Sequence, residues 1–230
     1  MLSRGLKISA QTLSTTTSSQ LGGSPWIQRP GAGPLGQLLF GKAPPKLVDR
    51  RRYPSLKKAL KKLDLSKQQI AEALGAPEEF FSIELAEGSN ASINRQGQIA
   101  FGLELLEEHQ KDDELLVAVL AHEIGHAPWT WPSGDLGRLT KKQIDQIYRE
   151  EEAKADRFAG KALAELGLSP DAICEFLLKA AKFEKHPPSD YYPAKDRAAL
   201  IRQTFSKRKR VLENVAHLSP RVLQRMRELR

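Results

Sequence analysis

The sequence predicts a mainly helical α+β fold with a small β-sheet, and three observations carry that prediction. Leu115 to Ala121 is an unbroken apolar run inside LLVAVLAHEIGH, with neither Gly nor Pro before Gly125, which reads as a buried helix. Thr140 to Gly167 offers a helix start signal, a long run of helix formers and a glycine stop. Phe81 to Leu85 and Gln98 to Phe101 are short apolar segments joined by a stretch containing Gly88, Ser89, Asn90, Asn94 and Gly97, the pattern of two strands and their turns.

Composition sets the outer bounds. At 230 residues with 40% hydrophobic content the chain holds one good-sized domain with tails, or two small ones. Its longest uncharged apolar run, Leu115 to Ala121, is far shorter than the ~18–20 residues of a membrane span, so a soluble, cytoplasmic protein is expected. The single cysteine, Cys174, excludes an internal disulfide and sits in the apolar helical pattern Ile173, Cys174, Phe176, Leu177, Leu178, as a small core residue would. Charge is uneven: residues 81–195 carry 20 acidic and 13 basic side chains, while the flanks carry 8 acidic and 23 basic. The middle of the chain is therefore acidic and both flanks are basic, which suits weak contact with nucleic acid or an anionic membrane; solvated helix faces are the simpler explanation. The sequence fixes no oligomeric state.

Taken in order, residues 1–48 form a basic arm rich in Ser, Thr, Gly and Pro whose apolar residues are scattered. Such a segment is expected to be disordered and to serve as linker, pro-segment, or address for an organelle or for export. A helical pair is expected over 54–75: Leu56 to Leu63 after Pro54 and Ser55, then Ser66 to Leu74 with Ser66 as N-cap and Gly75 as stop. LDLSKQQIAEALGAP also resembles the first half of a DNA-binding helix-turn-helix. The segment in the recognition position, PEEFFSIEL, has Glu78, Glu79 and Glu84 and no basic residue, which suits phosphates and base edges poorly. After the strands, Gly102 to His109 reads as a short helix, and Asp112 or Asp113 caps the next.

That next helix carries the chemistry. His122 and His126 are four apart, so both imidazoles leave one helix face about a turn from each other. The spacing allows both to bind one Zn²⁺ at about 2.0–2.1 Å. Glu123 then projects beside the metal, where it can take a proton from water and pass it to a leaving amine. HExxH on a helix is a metalloprotease signature. Pro128 and Pro132 should end the helix soon after, leaving Trp129 and Trp131 near the metal.

The run NASINRQGQIAFGLELLEEHQKDDELLVAVLAHEIGH resembles the core of the metallopeptidase family that includes HtpX-type proteases and CAAX prenyl endopeptidases. Asn90, Ala91, Gly97, Ile99, Gly102, Leu103, Glu114, Leu115, Val119 and Leu120 fall in matching places. The resemblance implies a zincin-like metallopeptidase domain of gluzincin type, with one zinc per chain and a protein or peptide substrate. It also implies that the stretch with Asn90, Ala91 and Ile99 is an edge strand to which extended substrate adds. In that family a Glu-x-x-Ala-Asp motif on the following helix supplies the third ligand. Here Glu152, Ala155 and Asp156 match it, although Glu150 and Glu151 compete on spacing alone. Glu152 would complete the metal set with His122 and His126, and Asp156 would hold a ligating imidazole in its tautomer.

A helix should run from Ser169 and Pro170 to near Lys185. His186, Pro187 and Arg197 correspond to a His-Pro segment and a later helical Arg of the family. The resemblance implies that His186 or Arg197 stabilises the oxyanion, with Tyr191 or Tyr192 as alternatives. The expected division is therefore an arm at 1–48, a metallopeptidase domain at 49–205 with its catalytic core at 81–200, and a basic helical segment at 206–230. Three other readings stand beside a free metalloendopeptidase: a repressor-cleaving protease with a DNA-binding segment, an inactive zinc-fold scaffold, and a protease kept latent by its own arm.

Overall fold

A computed structural model describes residues 45–75, 78–94, 96–126, 139–182 and 191–216. Nearly all of the arm, Pro128, Trp129, Trp131, Pro132, His186, Pro187 and the Ser219-Pro220 start signal lie outside the described residues.

The chain enters through a 3₁₀ turn at Arg50–Arg52, capped by the Asp49 side chain, and a second at Pro54–Leu56. Helix α1 follows as one continuous element, Lys57–Leu74, closed by Gly75 in the left-handed conformation. The helical pair expected over 54–75 is thus one helix. LDLS contains neither Gly nor Pro to interrupt it. Ser66, expected as an N-cap, is instead buried mid-helix on the face shared by Leu56, Leu60, Leu63 and Ile70. After Gly75 the described chain makes a 3₁₀ turn at Glu78–Phe80 and enters a strand. No recognition helix follows α1 among the described residues, and the helix-turn-helix alternative loses its reading element.

Three strands form the sheet in the order β1-β3-β2: β1 is Ser82–Ala86, β2 is Ala91–Ile93 and β3 is Gln98–Gly102. β3 is central, parallel to β1 and antiparallel to β2. Lys46 and Val48 bond the outer side of β1 through Glu87 N–H to Lys46 C=O at 2.9 Å and Val48 N–H to Leu85 C=O at 2.8 Å. The residue pattern does not show β2, because three residues set among turn formers are too short for alternation; the family resemblance alone implies an edge strand over this stretch. Its pairing with β3 is fixed instead by Asn94, whose carboxamide oxygen accepts from Gln96 N–H and Gln98 N–H.

From β3 the chain passes into the short helix α2, Leu103–His109, and then into α3, Asp113–Gly125, whose N-cap is Asp112 accepting from Leu115 N–H at 3.0 Å. Leu115 through Ala121 are all buried. A helix apolar on every side belongs at the centre of the molecule, and α3 packs against α1, the sheet and the helices that follow. Helix α4, Lys141–Leu166, opens with a reciprocal capping box between Thr140 and Gln143 and closes at Gly167. Helix α5 is Asp171–Ala181 and α6 is Ala194–Ala216. Cys174 is buried as expected, its thiol 3.5 Å from the Ala198 carbonyl. No described helix is long and apolar enough to cross a membrane.

Candidate metal centre

Two glycines set how closely the helices approach. A Cβ on Gly125 would lie 2.8 Å from Phe158 Cβ and 2.9 Å from Ala155 Cα, so only glycine lets the end of α3 seat against the middle of α4. A Cβ on Gly160 would lie 2.6 Å from the Ile201 carbonyl, which seats α6 against the other side of α4. These contacts carry His122 and His126 from α3, Glu152 and Asp156 from α4, and Arg197 from α6 to one place.

The two imidazoles converge on Glu152. His122 Nε2 is 3.3 Å from one carboxylate oxygen, and His126 Nε2 is 3.7 Å from the other. Ligand atoms about 2.0–2.1 Å from a tetrahedral zinc ion lie about 3.3 Å apart, so this spacing fits an ion between them. The rings of His122 and His126 are edge-to-face with centroids 4.9 Å apart. Donor atoms of His122, Glu123 and His126 also lie within 4.8 Å of one another, a group that can hold a metal ion. Lys154, on α4, donates to the His126 backbone carbonyl at 3.1 Å and so ties down the C-terminal end of α3.

Behind these groups lies a buried ionic network. His122 Nδ1 is 3.1 Å from Asp156 Oδ1. Arg197 grips Asp156 with two bonds, Nε to Oδ2 at 2.8 Å and Nη2 to Oδ1 at 2.9 Å, and reaches Glu152 at 3.2 Å. Its guanidinium carbon also lies 5.2 Å from the centroid of the Tyr191 ring. Tyr192 is committed elsewhere, its hydroxyl donating to Glu150 at 3.0 Å. Of the three neighbouring glutamates, Glu152 is the one paired with both histidines, while Glu151 pairs with Lys154. The choice that spacing left open is made by the direction of α4.

The network's charges follow from its contacts. Burial disfavours a charged His122, but its hydrogen bonds to the Asp156 and Glu152 carboxylates outweigh it and lift its pKa to about 10. Burial dominates at His126 and lowers it to about 4. Glu152 is pushed up by burial yet held at about 2 by the two histidines and Arg197, and Asp156 is held far below the ordinary aspartate value by Arg197 and His122. Glu123 differs. Burial raises it to about 7, with only a modest opposing pull from His122, Arg197 and a hydrogen bond with the Ile93 backbone.

That last contact orients the sheet. Asn90 C=O accepts from Gly102 N–H, and Asn94 N–H donates to Gln98 C=O, so alternate residues of β2 face β3. Ala91 and Ile93 therefore turn their backbone groups away from β3, toward the side where Glu123 meets the Ile93 backbone. Ile99, expected with Asn90 and Ala91 on an edge strand, lies on the central strand opposite Ile83 and Ile93, where no added strand can reach it. The edge belongs to β2. His186 lies outside the described residues; Arg197 is placed in the site by its bonds to Asp156 and Glu152.

Residues 58–129 match the family model of Peptidase family M48, and the chain carries a domain of that family over these residues. The match spans α1, the sheet, α2 and α3 with its HExxH, and stops before Glu152. No curated protein matches the chain.

Proposed function

Proceeding from a Peptidase family M48 domain at residues 58–129, we propose that this protein is a zinc-dependent metalloendopeptidase that hydrolyses peptide bonds in protein substrates. One observation carries the proposal. The imidazoles of His122 and His126 lie 3.3 and 3.7 Å from the two Glu152 carboxylate oxygens, with the buried Glu123 carboxyl, raised to about 7, beside them. His122, His126 and Glu152 would hold the ion. Bound zinc supplies a Lewis acid that polarises the scissile carbonyl and lowers the pKa of a coordinated water.

The chain's own residues do the rest. Glu123 takes the proton of the attacking water and returns it to the leaving amine, a task matched to a carboxyl group raised to about 7. Asp156 accepts from His122 Nδ1 and so presents Nε2 to the metal. Arg197 is a positioning residue. Its Nε and Nη2 are engaged with Asp156 and Glu152, so it orients the two carboxylates and balances their charge. β2, the outer strand of the sheet beside the site, is the element that extended substrate would lie along.

The test is zinc content measured beside cleavage of casein for the wild type, Glu123→Gln and Glu152→Ala. Zinc near one per wild-type chain is expected. Glu123→Gln should keep the metal and lose about 10²–10⁴-fold in rate, and Glu152→Ala should lose the metal. Zinc retained by Glu152→Ala would remove Glu152 from the ligand set, and absence of zinc from the wild type would end the reading.

A further inference from the structure

We infer that the lysine-rich face of α1 docks the chain on an anionic phospholipid surface. The inference goes beyond the peptidase reading and does not depend on it. α1 opens with Lys57, Lys58, Lys61 and Lys62, all exposed, and its first turn holds no acidic residue. Lys57 and Lys58 stand where cations oppose the positive end of the helix dipole. Lys57 with Lys61, Lys58 with Lys61 and Lys58 with Lys62 are three or four residues apart, the spacing at which like charges on a helix repel. Lys62 has Asp113 at 3.9 Å, but Lys57, Lys58 and Lys61 have no partner among the described residues. Asp64, the acid within this stretch, is turned to Arg50. Inside the fold these charges only destabilise, and an anionic surface laid against them removes both the repulsion and the clash with the dipole.

The basic helix α6 differs. Its Arg202 and Arg208 are paired with Asp171 and Glu165, and Arg210 bonds the Ser206 carbonyl, so those cations are committed within the chain.

Two features select a membrane over other polyanions. Leu65, 49% exposed, follows Lys61 by about one turn on the same face, where it can enter the acyl boundary beneath the headgroups that the lysines meet. From Lys57 to Leu65 the helix offers no aromatic ring on which a base could stack and no amide to read a base edge. Arg51, shared with Asp49, and Arg52 are also exposed just before the helix, and together with the lysines they make a cluster of the size that binds anionic lipid. The contact lies at the far end of α3 from the metal centre. Lys62 meets Asp113 where α3 begins, and His122 follows roughly 14 Å along the axis.

The experiment is sedimentation of the full chain with phosphatidylcholine vesicles, with and without about 30% phosphatidylserine, in about 0.1 M salt. Binding is expected to the anionic vesicles alone and should weaken as salt rises. One cation near such a surface contributes about fivefold, so Lys57→Gln, Lys58→Gln and Lys61→Gln combined should lower binding by about 100-fold. That variant should keep its zinc content and its casein cleavage, with Tm equal or higher because the repulsion within α1 is gone. Leu65→Ser should weaken binding by about fivefold, and Lys207→Gln with Lys209→Gln on α6 should leave most of it. Equal binding to neutral and anionic vesicles, or full binding by the α1 triple variant, would overturn the inference. Duplex DNA held through the same three lysines, without vesicle binding, would give the face to nucleic acid and overturn it too.

Discussion

Asp156 accepts on two sides at once, from His122 Nδ1 and from the Arg197 guanidinium, and it is 1% exposed. Removing one partner of a buried pair leaves the other charge without compensation, which costs about 3–5 kcal/mol. Asp156→Ala should destabilise the zinc-free protein by that amount in urea unfolding and weaken zinc binding by about 10–100-fold in a chelator competition. Asp156→Leu combined with Arg197→Met should recover part of the stability while the zinc affinity stays low, because packing is restored and the imidazole's hydrogen bond is not. His122 adds a pH dependence. Its folded pKa, about 10 without metal, exceeds the ordinary 6.5, so the folded state holds a proton that the unfolded state has released. Its stabilisation is complete below about pH 6.5 and is lost as pH rises toward 10. The Tm of the zinc-free protein should fall across that window, and His122→Asn should flatten the fall.

At the scale of elements, the centre depends on how α3 lies against α4. Gly125 sits where any Cβ would press on Ala155 and Phe158, and Ala155 stands next to Asp156 and about one turn after Glu152. Gly125→Ala must push the helices apart, and overpacking of this kind costs about 1–3 kcal/mol. The variant should also lose zinc affinity, because His122 and His126 would move away from Glu152 together. Unchanged affinity in Gly125→Ala, measured with a fluorescent zinc indicator, would show that the contact serves packing alone. Lys154 strengthens the same junction from the other helix, placing a cation at the C-terminal carbonyls of α3.

At the scale of the molecule, the centre is where β2, α3, α4 and α6 meet, so its occupancy stabilises the whole chain. A ligand that binds only the folded state adds about 2.7 kcal/mol at one hundred times its Kd. Chelation should lower Tm in one cooperative transition and zinc should restore it. A Tm indifferent to both would mean that the histidines and Glu152 do not share an ion. The charge asymmetry of the sequence belongs to this scale too. The carboxylates around the centre lie in the acidic middle of the chain, and the basic faces of α1 and α6 lie outside it.

The sequence by itself determined the elements whose signals are local. The apolar run of α3, the caps at Asp112 and Thr140, the stop at Gly167 and the four-residue spacing of His122 and His126 were all legible, because each is decided within one or two helical turns. The same locality misled over 54–75, where Ser66 has the chemistry of a cap, yet nothing breaks the helix and its face is buried. It also left β2 and β3 as one expected edge stretch, which the turn held by Asn94 divides into two paired strands. Tertiary structure alone decided the rest: which glutamate meets the histidines, that Ile99 is interior while β2 is the outer strand, and that Arg197 faces carboxylates. At the metal centre the contacts join residues 26 to 45 apart in the chain. They depend on the close approach of helices at Gly125 and Gly160, and no periodicity in the sequence records a distance between two helices.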